Sequence, residues 1–382
     1  MLRRVGVKSN PWTDAIFPPT VRARREGVVP LGVLQGEGIG SEVIAAALRV
    51  LSAAGPAITD RVELRWAGPI GREAELLYGK GLTSDATAFC ESIFAAGGAV
   101  LAGPGGGRFV YDLRARFDLY CKISPICTSD TRPHIGRLEP SATSGTDLLV
   151  IRENSGGVYM GESRDFNDAA AGRVCEHRFR YSEHEVRRIV DVAANLAAQR
   201  RGQLAVVVKD GGMPAMTSLW RDVAKETAER RGVSPSFLNV DLAAYALVHQ
   251  PRDFDVVVAS DLFGDILADA AALLLGARGF SFSGNFSGSG AAVYQTNHGC
   301  ANDIAGSDRA NPIGQICALA MALRESFGLA READWIEQGV DEVLRLGFRT
   351  FDIAGEGSHV VGTHEMGEHV ATTVDRLARS VS

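Results

Sequence analysis

The sequence predicts an α/β fold of about two domains, and three observations predict it. Apolar runs of strand length alternate with segments of helical spacing along most of the chain. Its 382 residues exceed what one ordinary core holds, so about two domains are expected. Apolar residues make up 46% and charged residues 23%, the balance of a globular chain rather than a disordered or fibrous one.

In order along the chain, VVPLGVL from Val28 reads as a strand, GEGIG as a glycine turn and SEVIAAALRVLSAAG as a helix. Strand signals recur at GGAVLAG, TDLLVIRE, QLAVVVK and FDVVVAS. Helical segments such as SEHEVRRIVDVAANLAAQR and SLWRDVAKETAERRG separate them, so a parallel sheet is expected. From Gly276 to Gly306 the rhythm breaks into Gly, Ser and Asn, including GFSFSGNFSGSG. That segment reads as a long loop, and the helical pattern resuming at NPIGQICALAMALRESFG makes a functional loop the better reading.

Composition excludes several classes. A formal net charge of -6 argues against broad nucleic-acid binding, which needs a basic footprint on phosphates. Cys90, Cys121, Cys127, Cys175, Cys300 and Cys317 form no CxxC pair and have no His at zinc-finger spacing. They read as reduced thiols of a cytoplasmic protein. No stretch reaches the roughly 18 apolar residues of a membrane span. Arg3, Arg4, Arg22, Arg24 and Arg25 lie in the first 26 residues, but no apolar core of a secretory signal follows. Asp14 and Glu26 spoil a transit pattern, so residues 1–26 read as an N-terminal extension.

The motifs that carry chemistry each have a bland alternative. Gly36, Gly38 and Gly40 sit where backbone can approach a ligand, or simply make a strand-to-helix turn. In SDLFGDILADAAALLLGA, Asp265 and Asp269 are spaced i, i+4 and share one helix face. Such a pair suits a hard divalent cation or a solvated acidic face. Apolar neighbours Ile266, Leu267, Ala270 and Ala271 place it near a buried boundary. Arg114, Arg116 and Lys122 in LRARFDLYCKISPI, with Arg152 ending an apolar strand, suit a polycarboxylate or are surface charge. Lys209, at the end of VVVKDGG, suits proton transfer if partly desolvated.

Taken together, GEGIGSEV, LRARFDLY, DLLVIREN with GGVYMGE, SDLFGDILAD, NHGCANDIAG with ANPI, and GTHEMGEHV resemble the β-decarboxylating dehydrogenases of isocitrate, isopropylmalate, homoisocitrate and tartrate. The resemblance runs from about Val28 to Val370. It implies an isocitrate/isopropylmalate dehydrogenase-like fold with two domains and a central cleft. Residues 27–119 and 277–382 form the large cofactor-binding domain, and residues 120–276 a small domain with dimer contacts. It further implies a homodimer with shared active sites, in which Lys209 and Asp241 serve the partner's site.

The same resemblance implies NAD and Mg²⁺ or Mn²⁺, the metal being held by Asp241, Asp265 and Asp269. Lys209 would assist hydroxyl deprotonation beside Asp241, and Tyr159 would protonate the enol carbon. Arg114 and Arg152 match arginines that hold the malate part, while Ile39, His298, Gly299, Asp303 and Asn311 match cofactor contacts. Asp303 accompanies NAD: a carboxylate bonds ribose hydroxyls but repels a 2′-phosphate, and at roughly 1.5–3 kcal/mol this gives a preference of about tenfold or more.

This chain departs from the pattern at several positions. Ser124 replaces the third arginine, and Lys122 stands where asparagine is usual. Gly211 replaces an asparagine after the lysine, Gly107 a glutamate of isopropylmalate members, and Gln295 another acid. Arg108, in the glycine-rich GPGGGRFVYD, falls where the family reads the substituent on the substrate's third carbon. Arg108 with Lys122 therefore predicts a polyanionic hydroxy acid with an anionic or polar substituent, as in isocitrate, homoisocitrate or a phosphonomethyl malate. The alternatives are a catalytically silent regulatory paralogue, a tartrate- or malate-type dehydrogenase, or an unrelated dinucleotide-binding protein. The last leaves the paired aspartates and NHGCANDIAG unexplained.

Overall fold

The computed structural model describes residues 11–18, 20, 27–128 and 135–380; Arg3, Arg4, Arg22, Arg24, Arg25 and Glu26 lie outside them. Among the described residues no helix is long and apolar enough to cross a membrane.

The inner strands that organise the fold are buried on both faces, as expected where helices cover a sheet on each side, while the edge strands Val62–Trp66 and Pro235–Asn239 are largely exposed or half-buried. Ten strands make one sheet: β1 (Val29–Leu34), β2 (Val62–Trp66), β3 (Ala99–Ala102), β4 (Cys121–Cys127), β5 (Asp147–Glu153), β8 (Leu204–Val208), β9 (Pro235–Asn239), β10 (Val256–Ala259), β11 (Phe282–Phe286) and β12 (Ala292–Thr296). Their spatial order is β2-β1-β3-β12-β11-β4-β5-β10-β8-β9. A hairpin, β6 (Glu162–Asp168) and β7 (Gly172–Arg178), stands apart from this sheet.

The expected parallel sheet is in fact mixed. β2, β1, β3 and β12 form one parallel wing, and β5, β10, β8 and β9 another. Between them β12–β11, β11–β4 and β4–β5 pair antiparallel. The alternation of strands and helices reveals the two wings but not the reversal that joins them, which depends on β4 and β11.

The expected long loop is also corrected. Within Gly276–Gly306 lie β11 and β12, central strands with nearly every residue buried. Phe282 and Phe286 are strand-like anchors, but Ser283, Gly284 and Asn285 between them carry loop composition. Ser283 and Asn285 are buried rather than turned to solvent, Asn285 accepting from Asn154 at 3.0 Å, and period alone could not show that. The β6–β7 hairpin escaped notice for the opposite reason: almost all of it is exposed, so it has no apolar face to betray it.

Helices pack on both faces. Named in chain order, those used below are α1 (Gly40–Ala53), α2 (Phe109–Phe117), α3 (Glu183–Ala198), α4 (Val240–His249), α5 (Asp261–Ala271) and α6 (Ile313–Ser326). In α6 every residue but Arg324 is buried, the mark of a helix enclosed by the core. α3 opens with a capping box between Ser182 and Glu185 and buries the stripe Val186, Ile189, Val190, Ala193, Ala194 and Ala197. Part of the N-terminal extension is docked: Thr13 donates through its hydroxyl to the Glu325 carbonyl at 2.9 Å, and Phe17 meets the edge of Phe286 at 6.0 Å.

This topology positions a site. At the carboxyl ends of the second wing lie Arg152 after β5's apolar run, Asp261 after β10, Lys209 after β8 and Asp241 after β9. Ligands of open α/β sheets gather at such ends.

Candidate active site

β5 is buried along its length and delivers Arg152, itself 2% exposed, to the start of α5. The guanidinium donates from Nε and Nη2 to Asp261 Oδ1, at 3.1 and 2.6 Å, and from Nη1 to Asp265 Oδ1. Tyr159 donates its amide to Asp261 Oδ2 and its hydroxyl to Asp265 Oδ2, both at 3.0 Å. Gly264 lets the helix come this close, since a Cβ there would meet Arg152 Cβ at 2.8 Å. Gly264→Ala should therefore cost about 1–3 kcal/mol of stability by overpacking. Denaturant unfolding checks this, and an unchanged midpoint would contradict it.

Two further cations join the group. Lys122 on β4 lies directly opposite Arg152 on β5 and Asn285 on β11, so these side chains share one face of the sheet. Lys122 and Arg114 are each 5% exposed, and among the described residues no hydrogen-bond partner reaches Arg114 Nε. Burial, then the neighbouring Arg152, holds the Lys122 ammonium well below its ordinary range and brings Arg114 down to about 10. Burial would raise Asp265, but Arg152 and Lys122 outweigh it and hold the carboxyl below its usual value. Burial, then Asp265, pushes the Tyr159 hydroxyl up to about 12, so it keeps its proton at neutral pH. Tyr111 packs against the group, its ring 5.4 Å from that of Tyr159 and 5.6 Å from the Arg114 guanidinium.

Charge decides what this cluster can hold. Arg114 and Arg152 bring two positive charges and Lys122, when protonated, a third, against the two negative charges of Asp261 and Asp265. A buried excess of positive charge is costly unless an anion offsets it. The remaining aspartate, Asp269, is taken by Arg278 at 2.7 Å.

Lys209 donates to Asp241 Oδ1 at 2.6 Å, which holds the Asp241 carboxyl below its usual value. Asp241 is 68% exposed and Lys209 40%, and no hydrogen bond links this pair to Arg152, Tyr159 or Asp265. Among the described residues no three His, Cys, Asp or Glu side chains converge as a metal cradle. The hard oxygen donors of Asp265 and Asp269, one turn apart on α5, suit Mg²⁺ or Mn²⁺. They are only two of the several ligands such an ion needs.

On the first wing, the glycine turn is explained by protein contacts. Gly38 has φ +57°, and a Cβ there would lie 2.0 Å from the Cys300 carbonyl oxygen. The Ile39 amide donates to that same oxygen at 2.9 Å. The turn thus holds the NHGCAND loop in place. His298 donates from Nδ1 to the Gly299 carbonyl at 3.0 Å, its Nε2 is buried with no partner among the described residues, and burial lowers its pKa. Asn311 donates to Asp352 at 3.2 Å, and Asp303 is exposed. A buried ring nitrogen with no partner among the described residues fits an adenosine-bearing cofactor.

The structure thus brings Arg114, Lys122, Arg152, Tyr159 and Asp265 together, and leaves Lys209 with Asp241, and Asp269, as separate groups. Arg108 is exposed and 3.6 Å from Asp112, outside the buried group. Ser124 faces the NHG loop, accepting from Asn297 Nδ2 at 3.4 Å. Sequence reasoning missed Asp261, Tyr111 and Asn297. Asp261 had a signal: it precedes Asp265 by the same four residues that separate Asp265 from Asp269.

Comparison with known proteins covers nearly the whole chain. The family model described as isocitrate/isopropylmalate dehydrogenase matches residues 30–370. A 3-isopropylmalate dehydrogenase of Geobacillus kaustophilus is 35% identical over 365 residues, spanning 90% of this chain and 95% of that one. One from a Synechococcus strain is 38% identical over 354 residues, covering 88% and 91%. The crystal structure of an isocitrate dehydrogenase from Methylococcus capsulatus superposes with a TM-score of 0.80 at 30% identity, covering 91% of this chain and all of that one.

Proposed function

The chain belongs to the isocitrate/isopropylmalate dehydrogenase family, and on that premise we propose that it uses NAD and Mg²⁺ or Mn²⁺ to oxidise and decarboxylate a 3-substituted malate whose substituent is polar or anionic. The observation that carries the reading is the buried convergence of Arg114, Lys122 and Arg152, three cationic groups that the carboxylates of a bound polyanion would hold in their charged forms.

When bound, NAD supplies the hydride acceptor and the divalent ion Lewis acidity at the substrate's oxygens. This chain's residues do the rest. Arg152 and Arg114 hold substrate carboxylates, and Lys209, kept by Asp241 and acting as the amine after releasing its proton to solvent, takes the hydroxyl proton as hydride leaves C2. The new carbonyl receives the electron pair of the C–C bond that breaks to release CO₂. Tyr159, still protonated and aimed by Asp265, gives its proton to the carbon left behind.

Lys209 and Asp241 stand apart from Arg152 within one chain, which supports a homodimer in which each copy lends them to its partner's site. Leu242 and Tyr245 on α4, Ile266 on α5 and Leu273 just beyond it are 52–63% exposed, an apolar stripe suited to that contact. The same reading keeps the division into residues 27–119 plus 277–382 and residues 120–276, with the extension before them. A silent paralogue is disfavoured by the intact Tyr159–Asp265 and Lys209–Asp241 bonds.

The substituent rests on Lys122. It stands two residues before Ser124 on the same strand, so both face the same side, and the cation missing at Ser124 is restored at Lys122. The curated relatives carry the name 3-isopropylmalate dehydrogenase, and this departure supports a different substituent here. Comparing kcat/KM for isocitrate, homoisocitrate, 3-isopropylmalate, tartrate and phosphonomethyl malate tests it. An acidic substituent should lead; a clear lead for 3-isopropylmalate would sink the proposal. Lys122→Met should raise KM for the preferred acid roughly 10–100-fold, the loss of one charged hydrogen bond. Steady-state kinetics read this directly.

A further inference from the structure

We infer that Asp261 is a positioning residue that sets Arg152 and Tyr159 in one fixed relation; this rests on the roles just proposed for those two. Asp261 is fully buried, yet each carboxylate oxygen is used. Oδ1 takes the Arg152 Nε and Nη2 protons, at 3.1 and 2.6 Å, and Oδ2 takes the Tyr159 amide, at 3.0 Å. One rigid group therefore fixes both the guanidinium that grips a carboxylate and the backbone from which the proton-donating hydroxyl projects.

The carboxylate is itself held from behind. Its own amide donates to the Tyr181 hydroxyl at 2.8 Å, and the Tyr181 ring meets Trp220 edge-on at 5.4 Å. Space beside it is kept by Gly157, where a Cβ would lie 2.2 Å from the Tyr181 hydroxyl and 2.9 Å from Asp261 Cβ. Asp265 bonds the same two partners from one helical turn further on, but it is partly exposed and faces the proposed substrate. Asp261 leaves Asp265 free for that duty by anchoring the other side of each partner. A residue serving only as helix or core filler would not need both oxygens on two groups of the reacting site.

Asp261→Asn tests this in the full-length enzyme. The amide keeps the shape and one acceptor oxygen, but its NH₂ faces donors. KM for the hydroxy acid should rise roughly tenfold or more and kcat should fall by a similar factor, while KM for NAD changes less than about twofold. Asp261→Glu, one methylene longer, should not rescue either constant. A loss of both KM values in step with a fall in thermal midpoint would show a merely structural role and overturn the inference. So would unchanged kinetics in Asp261→Asn. Arg152→Met and Tyr159→Phe run alongside: if they stay active, the reading of the site fails, whereas if only Asp261→Asn stays active, this inference alone fails.

Discussion

Lys209→Met should lower kcat roughly 10²–10⁴-fold, the usual worth of a positioned acid–base group, with KM for the hydroxy acid changed far less. Lys209 ends the apolar strand β8 and reaches Asp241 across the parallel β8–β9 pair. Methionine keeps the stem and deletes the proton carrier, so a rate effect without a folding effect is expected. An unchanged kcat would remove Lys209 from the mechanism. The lesion also reports on sharing between subunits. Mixed with inactive Arg152→Met enzyme and allowed to exchange, it should regain about a quarter of the wild-type activity, because half of the dimers carry one intact site. Failure to regain activity would place both residues in one chain's site.

Arg152→Met should be at least as severe, and for two separable reasons. The guanidinium is the centre of the buried group, bonded to both Asp261 and Asp265. Removing it leaves Asp261 buried and unpaired, which should cost about 3–5 kcal/mol of stability. It also removes the grip on a substrate carboxylate proposed for it, so kcat/KM should fall roughly 10²–10⁴-fold in whatever fraction remains folded. Arg152→Lys should recover stability better than activity, since a single ammonium cannot reproduce the planar fork. Urea unfolding and steady-state kinetics on the same preparations separate the two effects. Full activity in Arg152→Lys would contradict the bidentate account.

Much of the fold was legible because five strands of its two wings are dominated by apolar runs. β1, β3, β5, β8 and β10 all carry that signature, and the helices after them carry a 3.6-residue stripe. What stayed hidden is the centre of the sheet. β11 reads FSGNF, and β4 reads CKISPIC with a lysine, a serine and a proline inside it. Their polar residues are buried against neighbouring strands and loops, as Asn285 is bonded to Asn154 and Ser124 to Asn297, and a pattern rule that equates polarity with solvent misplaces them. These are the strands that reverse direction and join the two wings.

The site was legible in part for a similar reason. The spacing of Asp265 and Asp269 puts both on one face of α5, but the structure gives them different partners, Arg152 with Tyr159 for one and Arg278 for the other. The i, i+4 rule describes a face, not what packs against it. Lys122 and Arg152 are 30 residues apart and meet only because β4 and β5 pair in that register. The Lys209–Asp241 contact likewise spans 32 residues and depends on β8 lying beside β9. No local pattern encodes such pairings, and the β4–β5 register is what gathers the buried cations on which the proposed substrate rests.

The proposed coupling of oxidation to C–C bond cleavage is most directly tested by measuring CO₂ and NADH together in one reaction, with the preferred acid, Mg²⁺ or Mn²⁺ and NAD. One CO₂ for each NADH, both abolished by a chelator and restored by the metal, is the predicted result. NADH formed without CO₂, or formed equally well in the chelator, would contradict the account.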